Sequence, residues 1–402
     1  MFLRSQLGRL SAAASILLCA ALAGCALRGA TPSGATPEIP SSRGSAPVTH
    51  LYVWNSSVPP AELDEVPTTG GRPVLRITSP KGLSAGRTTI DGNGTLYIDG
   101  GPPYAPNISE YKAGSTKPFK KIVKGVGVVI GLTTDSKNDL YVLDASGPLV
   151  KYAPGATKPA FATYSGLCAA TYAGPISLTA DRSGNVYVLT RCGKAGSRQH
   201  GVLSQYGGGT KVKRTISFAP SRVPLGLTVD ASGRLYVTFA DETAEFRVGI
   251  AEYDPGASKP ATSFYVSPPT TPNSGGGAPV VDDSTGVLYQ TFNTCVVTAG
   301  PTTQCTSSIS IYPRGATKPS HRLKGPSNAM LGTPALDDAG NLYVEADSPN
   351  SATRTIYRYA QNTWTKTAVL SERKTFLGFA WPTVASSRTS FGGPVLFWIG
   401  GH

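Results

Sequence analysis

Leu178-Thr179-Ala180-Asp181-Arg182-Ser183-Gly184-Asn185-Val186-Tyr187-Val188 reads as two short strands joined by a tight turn. Leu178 to Ala180 form the first strand and Val186 to Val188 the second, while Asp and Gly supply the turn chemistry between them. The phrase recurs as TTIDGNGTLYI (88–98), LTTDSKNDLYV (132–142), LTVDASGRLYV (227–237), VVDDSTGVLYQ (280–290) and PALDDAGNLYV (334–344). Its tyrosines, Tyr97, Tyr141, Tyr187, Tyr236, Tyr289 and Tyr343, are spaced by 44, 46, 49, 53 and 54 residues.

A second phrase follows each first one. It runs Tyr111-Lys-Ala-Gly-Ser-Thr-Lys-Pro, Tyr152-Ala-Pro-Gly-Ala-Thr-Lys-Pro, Tyr253-Asp-Pro-Gly-Ala-Ser-Lys-Pro and Tyr312-Pro-Arg-Gly-Ala-Thr-Lys-Pro, with degraded copies at Tyr206 and Tyr359. Each unit therefore holds strand A through the Asp, strand B with Leu-Tyr-Val, strand C ending at the second Tyr, and strand D after Lys-Pro. Four strands per period of about 40–50 residues is the pattern of a β-propeller blade.

The stretch before the first full unit supplies strands B (Leu51–Val53), C (Leu63–Val66) and D (Pro73–Ile77) without a strand A. Leu377-Gly378-Phe379-Ala380 aligns with Leu225-Gly226-Leu227-Thr228 and is the expected donor. Six whole units and one split unit give an all-β, seven-bladed propeller closed by pairing the N-terminal strands with a C-terminal strand. Val395-Leu396-Phe397 also fits strand B, so six and eight blades stay open. These strand and turn phrases resemble the NHL-type and SMP-30-like propellers of bacteria over about residues 50–400.

Composition agrees. The 402 residues include 46 Gly and 33 Pro, which excludes a helical bundle or coiled coil. With 40% apolar and 15% charged residues, the chain has the means to bury a core. The formal charge of +13 raises a nucleic-acid reading, which the placement of the charges argues against. Without Arg4, Arg9, Arg28, Arg43 and Glu38, the propeller keeps 33 basic and 23 acidic residues, a net +10.

Residues 1–24 read as an export signal, with Arg4 and Arg9 ahead of the short apolar run Leu10–Leu22. Leu22-Ala23-Gly24-Cys25 resembles the lipobox of bacterial lipoproteins, which implies an acylated Cys25 as the mature N-terminus. An ordinary secretory signal is the alternative. Residues 25–49, rich in Ala, Gly, Pro, Ser and Thr, read as a tether ahead of a propeller domain at 50–402. The expected address is the bacterial cell envelope, lipid-anchored and extracytoplasmic. Ala26 is not the Asp that resembles an inner-membrane retention signal, so the outer membrane is expected in a Gram-negative source. Cys168, Cys192, Cys295 and Cys305 form an even set in an exported domain, and the sequence-local pairs Cys168–Cys192 and Cys295–Cys305 are favoured over the other two connectivities and over four free thiols.

Spacing divides the two faces of the disc. From first to second Tyr, across the B–C connection, the spacings are 14, 11, 19, 17, 23 and 16, whereas the A–B and C–D phrases barely change length. The face formed by the B–C and D–A loops is therefore the varied one, where binding residues are expected. Both expected disulfides fall on it. The other face carries Lys117, Lys158, Lys259 and Lys318 together with Asp91, Asp135, Asp181, Asp230, Asp282 and Asp337. The carboxylates are expected to dilute the lysines as solvated turn residues, with attraction to anionic lipid or polysaccharide the alternative.

No catalytic constellation emerges. The starts of strand A are small or apolar (Ser84-Ala85-Gly86, Gly131, Pro175-Ile176-Ser177, Pro224-Leu225-Gly226, Ala278-Pro279, Gly332-Thr333-Pro334, Leu377-Gly378). SMP-30-like lactonases share a divalent-metal site of Glu, Asn and Asp, and that set is not found; a virginiamycin-lyase-like site would want a His at the start of a strand A, and His50, His200, His321 and His402 lie elsewhere. The expectation is a non-catalytic binding or scaffold module, monomeric, with no metal, no cofactor and no nucleic acid. Its partners would be the membrane, through the anchor, and an envelope protein or glycan on the loop-rich face. The alternative is a metal-dependent hydrolase or lyase of those two types, with ligands from Asp241, Glu242 and Glu245.

Overall fold

The A–B turn is held by one carboxylate with three partners. In the second full unit, Asp135 Oδ1 accepts the backbone N–H of Lys137 at 2.9 Å and of Asp139 at 3.0 Å, and Oδ2 accepts the Tyr141 hydroxyl at 3.2 Å. The same Asp–Tyr bond joins Asp91 to Tyr97, Asp181 to Tyr187, Asp230 to Tyr236 and Asp337 to Tyr343, at 2.9–3.3 Å. The turn needs one residue of positive φ, supplied by Gly94, Gly184, Gly233 and Gly340; where the second unit lacks that glycine, Asn138 takes the position at φ 62°.

The computed structural model describes residues 50–55, 62–78, 87–100, 105–145, 148–168, 175–193, 200–241, 247–266, 274–275, 277–297, 303–337, 339–348, 353–373 and 383–384. Their strands form seven antiparallel sheets. Blades 1 to 4 carry strands A to D at Thr88–Ile90, Leu96–Gly100, Asn107–Tyr111 and Lys120–Ile122; Val129–Thr134, Leu140–Asp144, Leu149–Tyr152 and Phe161–Thr163; Pro175–Ala180, Val186–Cys192, His200–Tyr206 and Val212–Ser217; and Arg222–Val229, Leu235–Asp241, Arg247–Tyr253 and Thr262–Tyr265. In blades 5 and 6 strand A comes in two pieces. Blade 5 has Ser274–Gly275 and Val280–Val281 before Leu288–Val297, Thr303–Tyr312 and His321–Lys324. Blade 6 has Met330–Leu331 and Ala335–Leu336 before Leu342–Asp347, Thr353–Tyr359 and Lys366–Arg373. The fold is an all-β, seven-bladed propeller.

The split blade closes the ring, with its strand A placed differently from expectation. His50–Asn55, Glu62–Pro67 and Leu75–Thr78 are its strands B, C and D, and Thr383–Val384 pairs with Tyr52 and Leu51 as strand A. The expected donor Leu377–Ala380 lies outside the described residues, as does Val395–Phe397. A two-residue strand without the Asp-turn phrase leaves little pattern to read. Tyr52, which has no turn aspartate, hydrogen-bonds Glu65 of strand C instead. Blade 6 reaches the split blade through the Tyr343 hydroxyl, which donates to the Thr68 carbonyl at 3.2 Å.

Apolar packing lies between blades rather than inside them. Tyr97, Ile108 and Ile122 of blade 1 pack with Leu132, Leu140 and Val150 of blade 2, and one cluster joins Tyr343 and Val369 of blade 6, Leu51 and Val53 of the split blade, and Ile90 and Leu96 of blade 1. Each blade thus buries its faces only against its neighbours, so closure completes the core.

Blade 5 breaks the turn rule. Asp282 and Tyr289 are seven residues apart rather than six, and Asp282 Oδ2 is buried without a hydrogen-bond partner. We expect Tyr141→Phe or Tyr236→Phe to lower unfolding free energy by about 1–3 kcal/mol, because each leaves a buried carboxylate oxygen unpaired. Tyr289→Phe should cost less than about 1 kcal/mol. Equal losses in chemical denaturation would refute the assigned role of the Asp–Tyr bond.

Candidate binding face

On the loop-rich face the two expected disulfides are present. Cys168, ahead of strand A of blade 3, bonds Cys192 at the end of strand B, with Cα atoms 5.5 Å apart. Cys295 and Cys305 stand directly opposite each other in the blade 5 hairpin, at 4.1 Å between Cα atoms. Strands B and C of this hairpin are ten residues each, the longest pair among the described strands. The disulfide cross-links this ladder two pairs from its described end at Val297 and Thr303.

The seam between blades 5 and 6 is polar and closely fitted. The Asn293 side chain mimics a strand partner: its Nδ2 donates to the Leu331 carbonyl at 2.9 Å and its Oδ1 accepts Leu331 N–H at 2.8 Å. The Gln290 amide donates to the Gly277 and Thr291 carbonyls at 2.9 and 2.7 Å. A side chain at Gly277 would collide with the Thr333 hydroxyl, so glycine is needed for the approach.

The outer ends of the B strands carry acids that a search of the strand A starts misses. Asp99, Asp144, Asp241, Glu345 and Asp347 are buried or nearly so there. Asp99 accepts the backbone N–H of Arg87, whose guanidinium is also close. Asp241 accepts the Tyr265 hydroxyl at 2.7 Å and lies 3.9 Å from Arg222, whose guanidinium stacks over Phe239 at 4.6 Å. Glu345 stands 3.9 Å from the buried Arg354. The readable signal is an acid two to five residues after the strand B tyrosine, with Arg at the start of strand A or C. Burial pushes the Asp99 carboxyl up to about 7 against the pull of Arg87. Such pairs are committed to internal neutralisation.

Of the proposed hydrolase ligands, Asp241 is held by Tyr265 and Arg222, and Glu242 and Glu245 lie outside the described residues. Among the described residues no group of three or more His, Cys, Asp or Glu side chains is placed to hold a metal ion. His200 begins strand C of blade 3, and His321 begins strand D of blade 5 with its Nδ1 3.1 Å from the Ser320 hydroxyl. Cys25 and His402 lie outside the described residues.

On the opposite face the expectation of solvated turn carboxylates is overturned. Asp91, Asp135, Asp181, Asp230, Asp282 and Asp337 are only 1–6% exposed, because the turn N–H groups and, in five blades, the tyrosine hydroxyl enclose them. Asp283, next in the blade 5 turn, sits 3.4 Å from Arg182 of the blade 3 turn. Burial, reinforced by Asp230 and Asp282, pushes its carboxyl up to about 7 although Arg182 opposes the shift.

No family model and no curated protein matches the chain. Among solved structures it is similar to a protein from Lactobacillus plantarum, with 12% identity, 83% of this chain and 99% of that one covered, and a TM-score of 0.58. Weaker likenesses are the WD40 domain of Toxoplasma gondii coronin, with 11% identity, 81% and 76% covered and a TM-score of 0.49, and Kuenenia stuttgartiensis hydrazine synthase, with 14%, 67% and 75%, and 0.47. At 12% identity the Lactobacillus likeness shows the fold alone.

Two outcomes are expected. Converting Cys168 and Cys192 to Ser should lower stability by about 2–4 kcal/mol, and converting Cys295 and Cys305 by less, because the ladder already fixes that hairpin; thermal melts of both variants check the order. Asp283 has a raised folded-state pKa, so its stabilising contribution is present below pH about 4 and is lost as pH rises through about 7. Asp283→Asn should therefore match the parent near pH 4 and exceed it at pH 8 by on the order of 2 kcal/mol, as read by denaturant titration.

Proposed function

We propose that the chain is a lipid-anchored, non-catalytic β-propeller of the bacterial cell envelope that binds a protein or glycan on its loop-rich face. The observation that carries the reading is the placement of both disulfides on the face whose loops vary most. Stapled loops on a rigid disc present a pre-ordered surface, which lowers the conformational cost of recognition. The Arg-paired acids at the B-strand ends support the non-catalytic part, since their charge is already answered within the fold. The repeat phrases support kinship with NHL-type and SMP-30-like propellers, and Leu22-Ala23-Gly24-Cys25 supports acylation at Cys25, with residues 25–49 as the tether and residues 50–402 as a monomeric domain.

The test is cross-linking in intact envelopes with a photoreactive residue placed at exposed Val296, compared with one at exposed Lys158 on the other face. A discrete adduct from position 296 that disappears in the Cys→Ser variants is expected. Stoichiometric calcium in the purified protein together with lactone turnover would overturn the reading in favour of the metal-dependent hydrolase. Metabolic labelling with a fatty acid, abolished by Cys25→Ser, checks the anchor.

A further inference from the structure

We propose that the face formed by the A–B and C–D turns is a docking surface for an anionic phospholipid bilayer. Three observations lead to it. First, every blade places an exposed cation in or just after its C–D turn: Arg72 in the split blade, Lys117, Lys158 and Lys211 in blades 1 to 3, and Lys259, Lys318 and Lys366 in blades 4 to 6. Lys117, Lys158, Lys259 and Lys318 form no ion pair among the described residues.

Second, the acids that would cancel this ring are withdrawn. The six turn aspartates are buried. Asp139 is held by Lys151 at 2.6 Å and Asp283 faces Arg182. Asp254, half-exposed, is bonded to Arg234 at 2.8 Å. Among its described residues, a face whose sequence alternates Asp and Lys therefore shows solvent mostly lysine. The ring is also braced: Lys120 donates to the Gly155 carbonyl at 2.5 Å and Lys151 to the Gly208 carbonyl at 3.4 Å, each tying a C–D turn to the blade before it.

Third, the described chain begins on this side. His50, the first residue of the split blade's strand B, pairs with Pro67, the last residue of strand C, and so stands level with the C–D turn that carries Arg72. The first described residue of the domain therefore lies on the lysine face. This step rests on the lipid-anchored reading for bringing a bilayer to that face, and it leaves the stapled loops directed to the opposite side. Each basic residue near an anionic surface contributes about 1 kcal/mol, or roughly fivefold in partitioning.

The test uses the full mature chain, purified from membranes and reconstituted into vesicles of phosphatidylcholine alone or with about 30% phosphatidylglycerol, a surface negative enough to attract polybasic segments. Lysines are acetylated with a water-soluble reagent and read by mass spectrometry. Lys117, Lys158, Lys259 and Lys318 should label at least about fivefold more slowly on the anionic vesicles, while exposed Lys124 and Lys324, past strand D of blade 1 and at its end in blade 5, label alike on both. About 0.5 M NaCl should abolish the difference, because screening then acts within a few ångström. In the variant K117E/K158E/K259E/K318E the protection of Lys112 and Lys366 should disappear. Equal labelling on both lipids would overturn the proposal, as would protection by a soluble anionic polysaccharide in place of the vesicles. Failure to float with phosphatidylcholine alone would count against the anchor; lysine protection on the anionic vesicles would still support the face.

Discussion

A buried aspartate shared between a turn and a tyrosine organises this molecule. One carboxylate oxygen accepts two turn N–H groups and the other accepts a phenol from the next strand, as Asp230 does with the N–H groups of Ser232 and Arg234 and the Tyr236 hydroxyl. The arrangement fixes strand A against strand B in register and places the tyrosine ring between blades, where Tyr141, Tyr187, Tyr236 and Tyr343 are almost wholly enclosed. Desolvation and the adjacent carboxylate push those phenols well above their usual range, so they stay neutral donors at any physiological pH. A charged acceptor with a neutral donor in a dry seam is among the stronger hydrogen bonds available to a fold.

That bond also explains what was legible in the sequence. Asp and Tyr recur six residues apart in five units because both ends are needed, so six blades and their strand order followed from the phrase, while the seventh rested on the N-terminal strands and left six or eight blades open. The disulfide pairing was legible because both pairs are local to one blade. The closing strand was not, since Thr383–Val384 contributes two backbone pairs and no turn phrase. Nor were the buried turn carboxylates: an Asp in a polar turn reads as solvated until its tyrosine partner is seen to lie over it. Of the acids at the B-strand ends, Asp241 was singled out as a possible metal ligand, while Asp99 and Glu345 were hidden by a search confined to strand A, although their arginines stand at strand starts.

The withdrawal of carboxylate charge also sets the difference between the two faces. In each regular blade the aspartate spends its acceptor capacity inward, and the lysine that follows two turns later has no ion-pair partner among the described residues. Composition alone, at +10 over the propeller, does not reveal such separation, because the acids still count. The fold converts a mixed sequence into a polar disc, with cations on the turn side and stapled loops on the other. Net charge speaks to association rather than to fold, and its distribution decides which surface is involved.

Blade 5 shows how a repeat accommodates departure from its own rule. Its turn has one extra residue, its strand A is broken, its hairpin is the longest described, and one disulfide crosses that hairpin. Because apolar packing joins each blade to its neighbours, a lost Asp–Tyr bond in one blade need not propagate if the seam is secured otherwise. Blade 5 has such a substitute in Asn293, bonded twice to Leu331 of blade 6; within the blade Gln290 bonds Gly277 and Thr291, and across the turn face Arg182 of blade 3 reaches Asp283. Side-chain amides stand in for the phenol–carboxylate bond, and a covalent link crosses the longest described hairpin. The blade most released from the repeat is thus the one with the most variable face, as expected where binding surface is added without disturbing closure.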